Sequence, residues 1–291
     1  MDRMRPYWLA CLFAGFLSPS AAFSQPDRIV LELHPAPGIT AHIINDGHRV
    51  TLKQPQGEDI DLPDPENRLD RPDPSITRRD VDFDGHDDLI VRYPGRPADE
   101  AVQVVRYRPE LRSYRVLTAP DTASQPMLCG MQAIRIDVSS RELHVHCREG
   151  DALVMEGLRF DAQGRSWLAL RKIEAATPAS SSGQSPDFSR RQTGVFGEIT
   201  RWNAKGHEIE ARAYSARGTP IEATVRAARA SLYSAPSDQA RTAAYLIGGD
   251  KVRVLAQQGH WLRIAYEGKA GRIDRWIDTA AFSAPDEHAL P

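Results

Sequence analysis

No part of this chain carries a long apolar period of 3.6 residues, which excludes a fold built on amphipathic helices. In its place stand short runs rich in β-branched residues: "HIINDGHRVTL", "EAVQVVRYR", "SYRVLTA", "QAIRIDVSS", "RELHVHC" and "ALVMEGLRF". Runs of that length, bounded by turn-forming residues, are strands. Asn45-Asp46-Gly47 in the first is the pairing expected of a hairpin turn. The predicted class is all-β.

The piece "ATPASSSGQSPD", residues 176–187, is rich in Ser, Pro and Gly and has no apolar anchor, so it reads as a linker between two strand-rich halves. An internal echo lies around it. "FDAQG", "WNAKG" and "YSARG" each place an aromatic, Phe160, Trp202 and Tyr214, four residues before a glycine. That spacing suits a strand ending in a type I turn whose glycine takes positive φ, giving three hairpins of one design. Independent hairpins sharing turn chemistry account for the echo better than a repeat protein does.

The first residues, "MDRMRPYWLACLFAGFLSPSAAFSQ", carry Arg3 and Arg5, an apolar run from Tyr7 to Leu17, and small residues ending at Ala22-Phe23-Ser24. This is the layout of a secretory signal peptide, residues 1–24, which predicts an exported, periplasmic protein without a membrane span. Cys11 sits inside the apolar run, which argues against a lipid acceptor. Removing Asp2, Arg3 and Arg5 with the leader takes the formal charge from -2 to -3, too small a field to steer nucleic acid. Cys129 and Cys147 then remain, and an even pair in an oxidising compartment predicts a disulfide. The length left after cleavage predicts two domains.

One stretch carries candidate chemistry. In "RRDVDFDGHDDLIV", residues 78–91, the spacing Asp80-x-Asp82-x-Asp84-Gly85-x-x-Asp88 puts side-chain oxygens at loop positions 1, 3, 5 and 9, with the His86 carbonyl at 7. Ca²⁺ takes six to eight hard oxygens, and Gly85 permits the sharp bend needed to wrap one ion. Position 12 is Val91 where an EF-hand has Glu, and the apolar run that follows reads as a strand. The competing reading is a solvated acidic turn using its aspartates for local hydrogen bonds. A hydrolytic pair of aspartates is disfavoured because no apolar setting raises one carboxyl's pKa.

"DVDFDGHDDL" resembles the signature D-x-N-F-D-G-Y-D-D-L of a family of secreted bacterial calcium-binding proteins. That family includes periplasmic immunity proteins that block lysozyme-like effectors of antibacterial type IV secretion systems. The likeness spans roughly residues 28–175 and is sharp only over the ten-residue loop. It implies a β-propeller-like or sandwich-like domain over residues 25–175, structured by Ca²⁺ at Asp80, Asp82, Asp84, His86 and Asp88. The implied partner is a lysozyme-like cell-wall hydrolase.

Past a connector at 188–221, the order "RASLYSAP", "YLIGGDKVRVL", "GHWLRIAY", "GRIDRWIDTAAF" resembles the bacterial SH3 family over residues 222–283, leaving a tail at 284–291. The resemblance implies a small five-stranded SH3-like barrel, a Gly-Asp turn between strands, and an aromatic groove for peptides or cell-wall stems. Tyr233, Trp261 and Trp276 are the candidate contacts. Arg275 replaces a glycine of the family's pattern. Each aromatic alone is read more readily as packing.

"LHVHC" could suggest zinc, but His144 and His146 point to one face of a strand and Cys147 to the other. No nucleophile elbow, H-E-x-x-H or phosphate loop occurs. Their absence removes the usual reasons to propose catalysis, and the resemblances imply a protein that works by binding: inhibition of a peptidoglycan-degrading effector, or, alternatively, attachment to peptidoglycan through the SH3 module.

Overall fold

The computed structural model describes residues 28–46, 49–62, 74–92, 102–120, 126–131, 133–175, 195–269 and 271–282. The leader, the linker at 176–187 and the tail lie outside them. The described residues form antiparallel β-sheets with no α-helix.

Three sheets are simple meanders. The first joins β1 (Arg28–Ala36), β2 (Ile39–Asn45), β3 (Val50–Lys53) and β4 (Ile60–Asp61). The second joins β5 (Ser75–Arg79), β6 (Asp88–Arg92), β7 (Val102–Arg108) and β8 (Ser113–Val116). The third runs β9 (Arg135–Asp137), β10 (Glu142–Glu149), β11 (Ala152–Phe160), β12 (Ser166–Ala175), β13 (Gly197–Trp202) and β14 (Glu208–Tyr214). The hairpin β13–β14, read from sequence as a connector, thus extends the sheet of the preceding segment, with Leu170 opposite Arg201 and Glu174 opposite Gly197.

The cores explain the strand sequences. Ile39, Ala41 and Ile43 alternate with less buried residues along β2, because the first sheet uses one face. They pack on Leu89, Val91, Val105, Tyr107 and Tyr114 of the second sheet. The opposite face of that second sheet, with Ile90, Val102 and Val104, packs on Leu143, Val145, Val154, Leu158 and Leu168 of the third. A sheet covered on both sides needs apolar residues on both, which is why β6 reads Asp88-Leu89-Ile90-Val91 without alternation and all four are buried. Layered, face-to-face packing of this kind is sandwich-like. The Cys129–Cys147 disulfide is formed and lies at the second of these cores.

The three echoed turns share one geometry. Gly164, Gly206 and Gly218 have φ of 68°, 76° and 76°. Each donates its N–H to the carbonyl three residues back, on Asp161, Asn203 and Ser215. Each of those residues also accepts, on its side-chain oxygen, a backbone N–H two residues ahead. The aromatic-x-x-x-Gly spacing therefore encodes the turn; it joins paired strands at β11–β12 and β13–β14, whereas after β14 only a single bridge, Tyr214 to Pro220, follows, which corrects the third expected hairpin.

The C-terminal segment forms a sheet in the order β15-β18-β19-β20-β16-β17: β15 (Glu222–Thr224), β16 (Arg229–Tyr233), β17 (Arg241–Ile247), β18 (Lys251–Gln258), β19 (Trp261–Gly268) and β20 (Gly271–Asp278). This corrects the closed five-stranded barrel expected from sequence. Six strands are paired, the outer strands β15 and β17 are not hydrogen-bonded to one another among the described residues, and β16 joins β20 only at Tyr233 and Trp276. Short β15 and the bulged β16 leave too little backbone to zip a closing seam. The predicted Gly-Asp turn is present: Gly249 has φ 95° and Asp250 Oδ2 accepts the Ile247 N–H at 2.9 Å. Val195 and Ala213 from the third sheet's segment enter this module's core. Arg263 clamps the two together, reaching Glu208 at 2.7 and 2.9 Å and Asp274 at 2.8 and 2.7 Å.

Candidate metal centre

The acidic loop connects β5 to β6 in the middle sheet. It turns on itself through Phe83 at φ 63° and Gly85 at φ 91°. A non-glycine residue rarely adopts the left-handed region, so this bend is held by its surroundings. Arg141, from the turn before β10, supplies part of the hold: its Nη2 donates to the Phe83 carbonyl at 2.8 Å, and its guanidinium lies 5.4 Å from the Phe83 ring.

Asp80 wraps the loop locally, accepting the Asp84 N–H at 3.1 Å and the Gly85 N–H at 2.9 Å. Asp84 is exposed and accepts the His86 N–H at 2.8 Å. These three bonds are of the kind the solvated-turn reading predicts. Asp82 and Asp88 behave differently. Asp88 is fully buried; Oδ2 accepts the Val81 N–H at 2.9 Å and Oδ1 the Tyr107 N–H at 2.8 Å. Asp82 is 8 % exposed, and its Oδ2 is ion-paired with Arg106 Nη1 at 2.9 Å. Its other oxygen, Oδ1, is buried with no hydrogen-bond partner among the described residues.

Carboxylate oxygens of Asp80, Asp82 and Asp88 lie within 4.8 Å of one another, and this trio could hold a metal ion. Burial raises the Asp88 carboxyl to about 8, and the charge of Asp82 adds to the effect, which corrects the sequence expectation that no apolar setting raises a carboxyl here. Burial also raises Asp82, followed by repulsion from Asp84, with Arg106 pulling the other way. A buried carboxylate carrying an orphaned oxygen beside a second buried carboxylate is costly unless a cation joins them. All the donors are hard oxygens, which suits Ca²⁺ or Mg²⁺ over softer metals. The residues present therefore fit the ion that the loop signature implies.

Of the residues expected from sequence, the structure brings Asp80, Asp82 and Asp88 together. Asp84 stays outside that trio. His86 turns its ring inward, with Nδ1 3.3 Å from the Pro35 carbonyl of the first sheet and the ring centroid 5.4 Å from that of Tyr107. The loop thus touches all three sheets: the first through His86, the second through Asp88, the third through Arg141.

Sequence reading missed Arg106. It stands in β7, between buried Val105 and Tyr107, and its own exposure is 7 %. A charged residue inside the apolar run "VQVVRYR" was the available signal. Also unforeseen was buried Glu156, whose carboxylate accepts the Leu128 and Cys129 N–H groups and the Arg171 Nε. It holds the segment that carries Cys129 against the third sheet.

In the C-terminal sheet, Tyr233 and Trp261 meet edge to face at 4.6 Å, and Tyr233 lies opposite Trp276 on the neighbouring strand. Trp261 is 5 % exposed and so packs, whereas Tyr233 and Trp276 are half-buried. His144 and His146 do not converge with Cys147, which is in the disulfide; His144 Nε2 is 3.0 Å from buried Glu142.

No family model matches the chain, and no curated protein matches it. Among solved structures it is similar to a Xanthomonas protein described as related to a type IV secretion system. Identity is 15 %, the match covers 65 % of this chain and 87 % of that one, and the TM-score is 0.34. No helix among the described residues is long and apolar enough to cross a membrane.

Proposed function

We propose that this is an exported, calcium-binding β protein that acts by binding another protein, as an inhibitor or immunity protein against a lysozyme-like, peptidoglycan-degrading effector. The observation that carries the calcium part is the trio Asp80, Asp82 and Asp88, with two of the three carboxylates buried and one Asp82 oxygen orphaned. The likeness of "DVDFDGHDDL" to the signature of calcium-binding immunity proteins supports the rest. A bound ion would balance the charge that Arg106, ion-paired with Asp82, leaves uncancelled. The chain's own residues do the remainder: Asp88 ties the loop to β7, Arg141 fixes its apex and His86 docks it on the first sheet.

A loop ordered in this way suits inhibition, because a protrusion that enters an enzyme cleft loses little conformational entropy if it is already rigid. An inhibitor that must stop a toxin at low concentration requires nanomolar affinity or better, on the order of -12 kcal/mol. The test is cell-wall lysis by the lysozyme-like product of a neighbouring gene, with and without this protein. Stoichiometric suppression is expected; full lysis at several-fold molar excess overturns the reading.

A second reading has its own observation. Tyr233 and Trp276 are half-buried neighbours across one strand pair, a ready surface for a cell-wall stem. It predicts an envelope protein retained on purified sacculi, with retention lost in Tyr233→Ala/Trp276→Ala. Pull-down from periplasm with and without calcium separates the two, since only the first requires a protein partner.

A further inference from the structure

Arg106 is the one element of the acidic loop's surroundings that the calcium reading does not explain. It is a buried cation placed against a carboxylate that a metal would want. Nη1 contacts Asp82 Oδ2 at 2.9 Å and the Gly164 carbonyl at 2.8 Å, and the guanidinium lies 4.9 Å from the Phe160 ring. Its Nε is buried without a partner among the described residues. The side chains of Arg106 and Asp82 are 8 % and 2 % exposed, so water screens their attraction little.

We propose that Arg106 is the built-in counter-cation of this loop: it neutralises Asp82 when no metal is bound and sets the charge left for a ligand at the value a divalent ion cancels. The proposal rests on the calcium reading for its second half only. With all three carboxyls ionised, the form a cation binds, Asp80, Asp82 and Asp88 with Arg106 carry a net charge of -2. Asp84, Asp87, Arg78, Arg79 and Arg141 are exposed and solvent-screened, so they count for less. A divalent ion takes the centre to zero, whereas a trivalent ion overshoots.

The same contact gives a structural consequence. Arg106 reaches Gly164 at the tip of the β11–β12 hairpin, and Arg108 Nη2 donates to Gln163 beside it at 2.7 Å. The counter-cation therefore also fastens the loop's strand to the third sheet, and holds the metal-free loop in shape.

The test uses the full chain and two ions, Ca²⁺ and Tb³⁺, with dissociation constants from calorimetry and terbium luminescence. Arg106→Gln leaves a charge of -3 and should tighten Ca²⁺ by about tenfold. Because the change in ion energy scales with ion charge, Tb³⁺ should tighten by about thirtyfold. Arg106→Lys should leave both near wild type. Asp82→Asn/Arg106→Gln removes one charge of each sign, so it buries no lone charge; both ions weaken, but their ratio returns to the wild-type value. Unchanged or weaker Ca²⁺ binding by a folded Arg106→Gln protein overturns the charge-setting role, as does an ion ratio in the double variant unlike wild type. In chelator, a double-mutant cycle of Asp82→Asn and Arg106→Gln on melting temperature should show clear coupling. Additive effects overturn the counter-cation role itself. If wild type binds neither ion, the calcium reading and the charge-setting half both fall, while the cycle still decides the pairing.

Discussion

Asp88 Oδ1 accepts the backbone N–H of Tyr107 at 2.8 Å, so the last carboxylate of the acidic loop is bonded directly to the next strand of the middle sheet. Its second oxygen takes the Val81 N–H at 2.9 Å. A carboxylate can accept both bonds; an amide offers one acceptor oxygen and turns N–H groups toward the other donor. Asp88→Asn should therefore cost about 2 kcal/mol or more in urea unfolding. The exposed neighbour gives the control: Asp87→Asn should stay within roughly 0.5 kcal/mol. Equal midpoints for the two would show that the buried bonds contribute nothing.

The same burial predicts an unusual pH profile for the metal-free protein. Asp88 has an ordinary value of 3.8 in the unfolded chain and about 8 when folded. Below the lower value both states hold the proton, and the contribution to stability is fully present. As pH rises from about 4 to about 8 the unfolded state releases its proton first, so stability falls, and the loss is complete above the folded value. Asp82, also raised, acts in the same sense. Asp137 and Glu142 are held below their ordinary values and act oppositely under about pH 5, and His146, lowered by burial, acts oppositely only up to its ordinary value of 6.5, a smaller effect than that of Asp88. Unfolding in chelator should show less stability at pH 8 than at pH 5. Calcium should flatten that decline by binding the ionised carboxylates.

Millimolar calcium should raise the melting temperature relative to chelator, since an ion held only by the folded chain stabilises it by mass action. Asp80→Asn should abolish most of the rise, because Asp80 is in the carboxylate trio. Sequence spacing alone makes Asp84 a central ligand, yet Asp84 lies outside the trio and its oxygen serves the His86 N–H. Asp84→Ala is therefore expected to keep most of the response. Identical melting in calcium and chelator would dispose of the metal site.

The turn glycines give a graded prediction. At Gly218 an added methyl meets nothing within 4 Å, so Gly218→Ala should cost only the left-handed backbone penalty, about 1 kcal/mol. At Gly164 it would lie 3.2 Å from Arg108 Cζ and 3.5 Å from Arg106 Nη1. Gly164→Ala should be the more damaging of the two, and should also disturb the Asp82–Arg106 pair. The reverse order in thermal melts would contradict this geometry.

Peptide mapping without reduction should recover one Cys129–Cys147 pair, with neither sulfur free. For a bridge 18 residues apart in sequence, loop-closure entropy predicts a loss of about 3 kcal/mol in the double alanine variant. Glu156 holds the Leu128 and Cys129 N–H groups independently of the sulfurs. Glu156→Gln should therefore deepen the loss in the variant without the disulfide.

The all-β class, the three glycine turns and the acidic loop were legible from residue order because each is written locally, and the disulfide, 18 positions apart, because only two cysteines lie outside the leader. Strand alternation, the aromatic-x-x-x-Gly spacing and D-x-D-x-D-G-x-x-D depend on residues within about ten positions of one another, where backbone geometry and side-chain reach act directly. Arg106 contacts Asp82 across 24 positions and Gly164 across 58, and nothing in the local pattern of "VQVVRYR" names either partner. Stacking of the three sheets decided which aspartates are buried, which oxygen is orphaned and which cation stands beside it. Likewise, whether the C-terminal strands close into a barrel depends on the pairing of β15 with β17, an outcome of register and twist summed over the whole sheet. Local chemistry determined what the loop could bind; burial, a property of the packed molecule alone, decided how much charge it must balance.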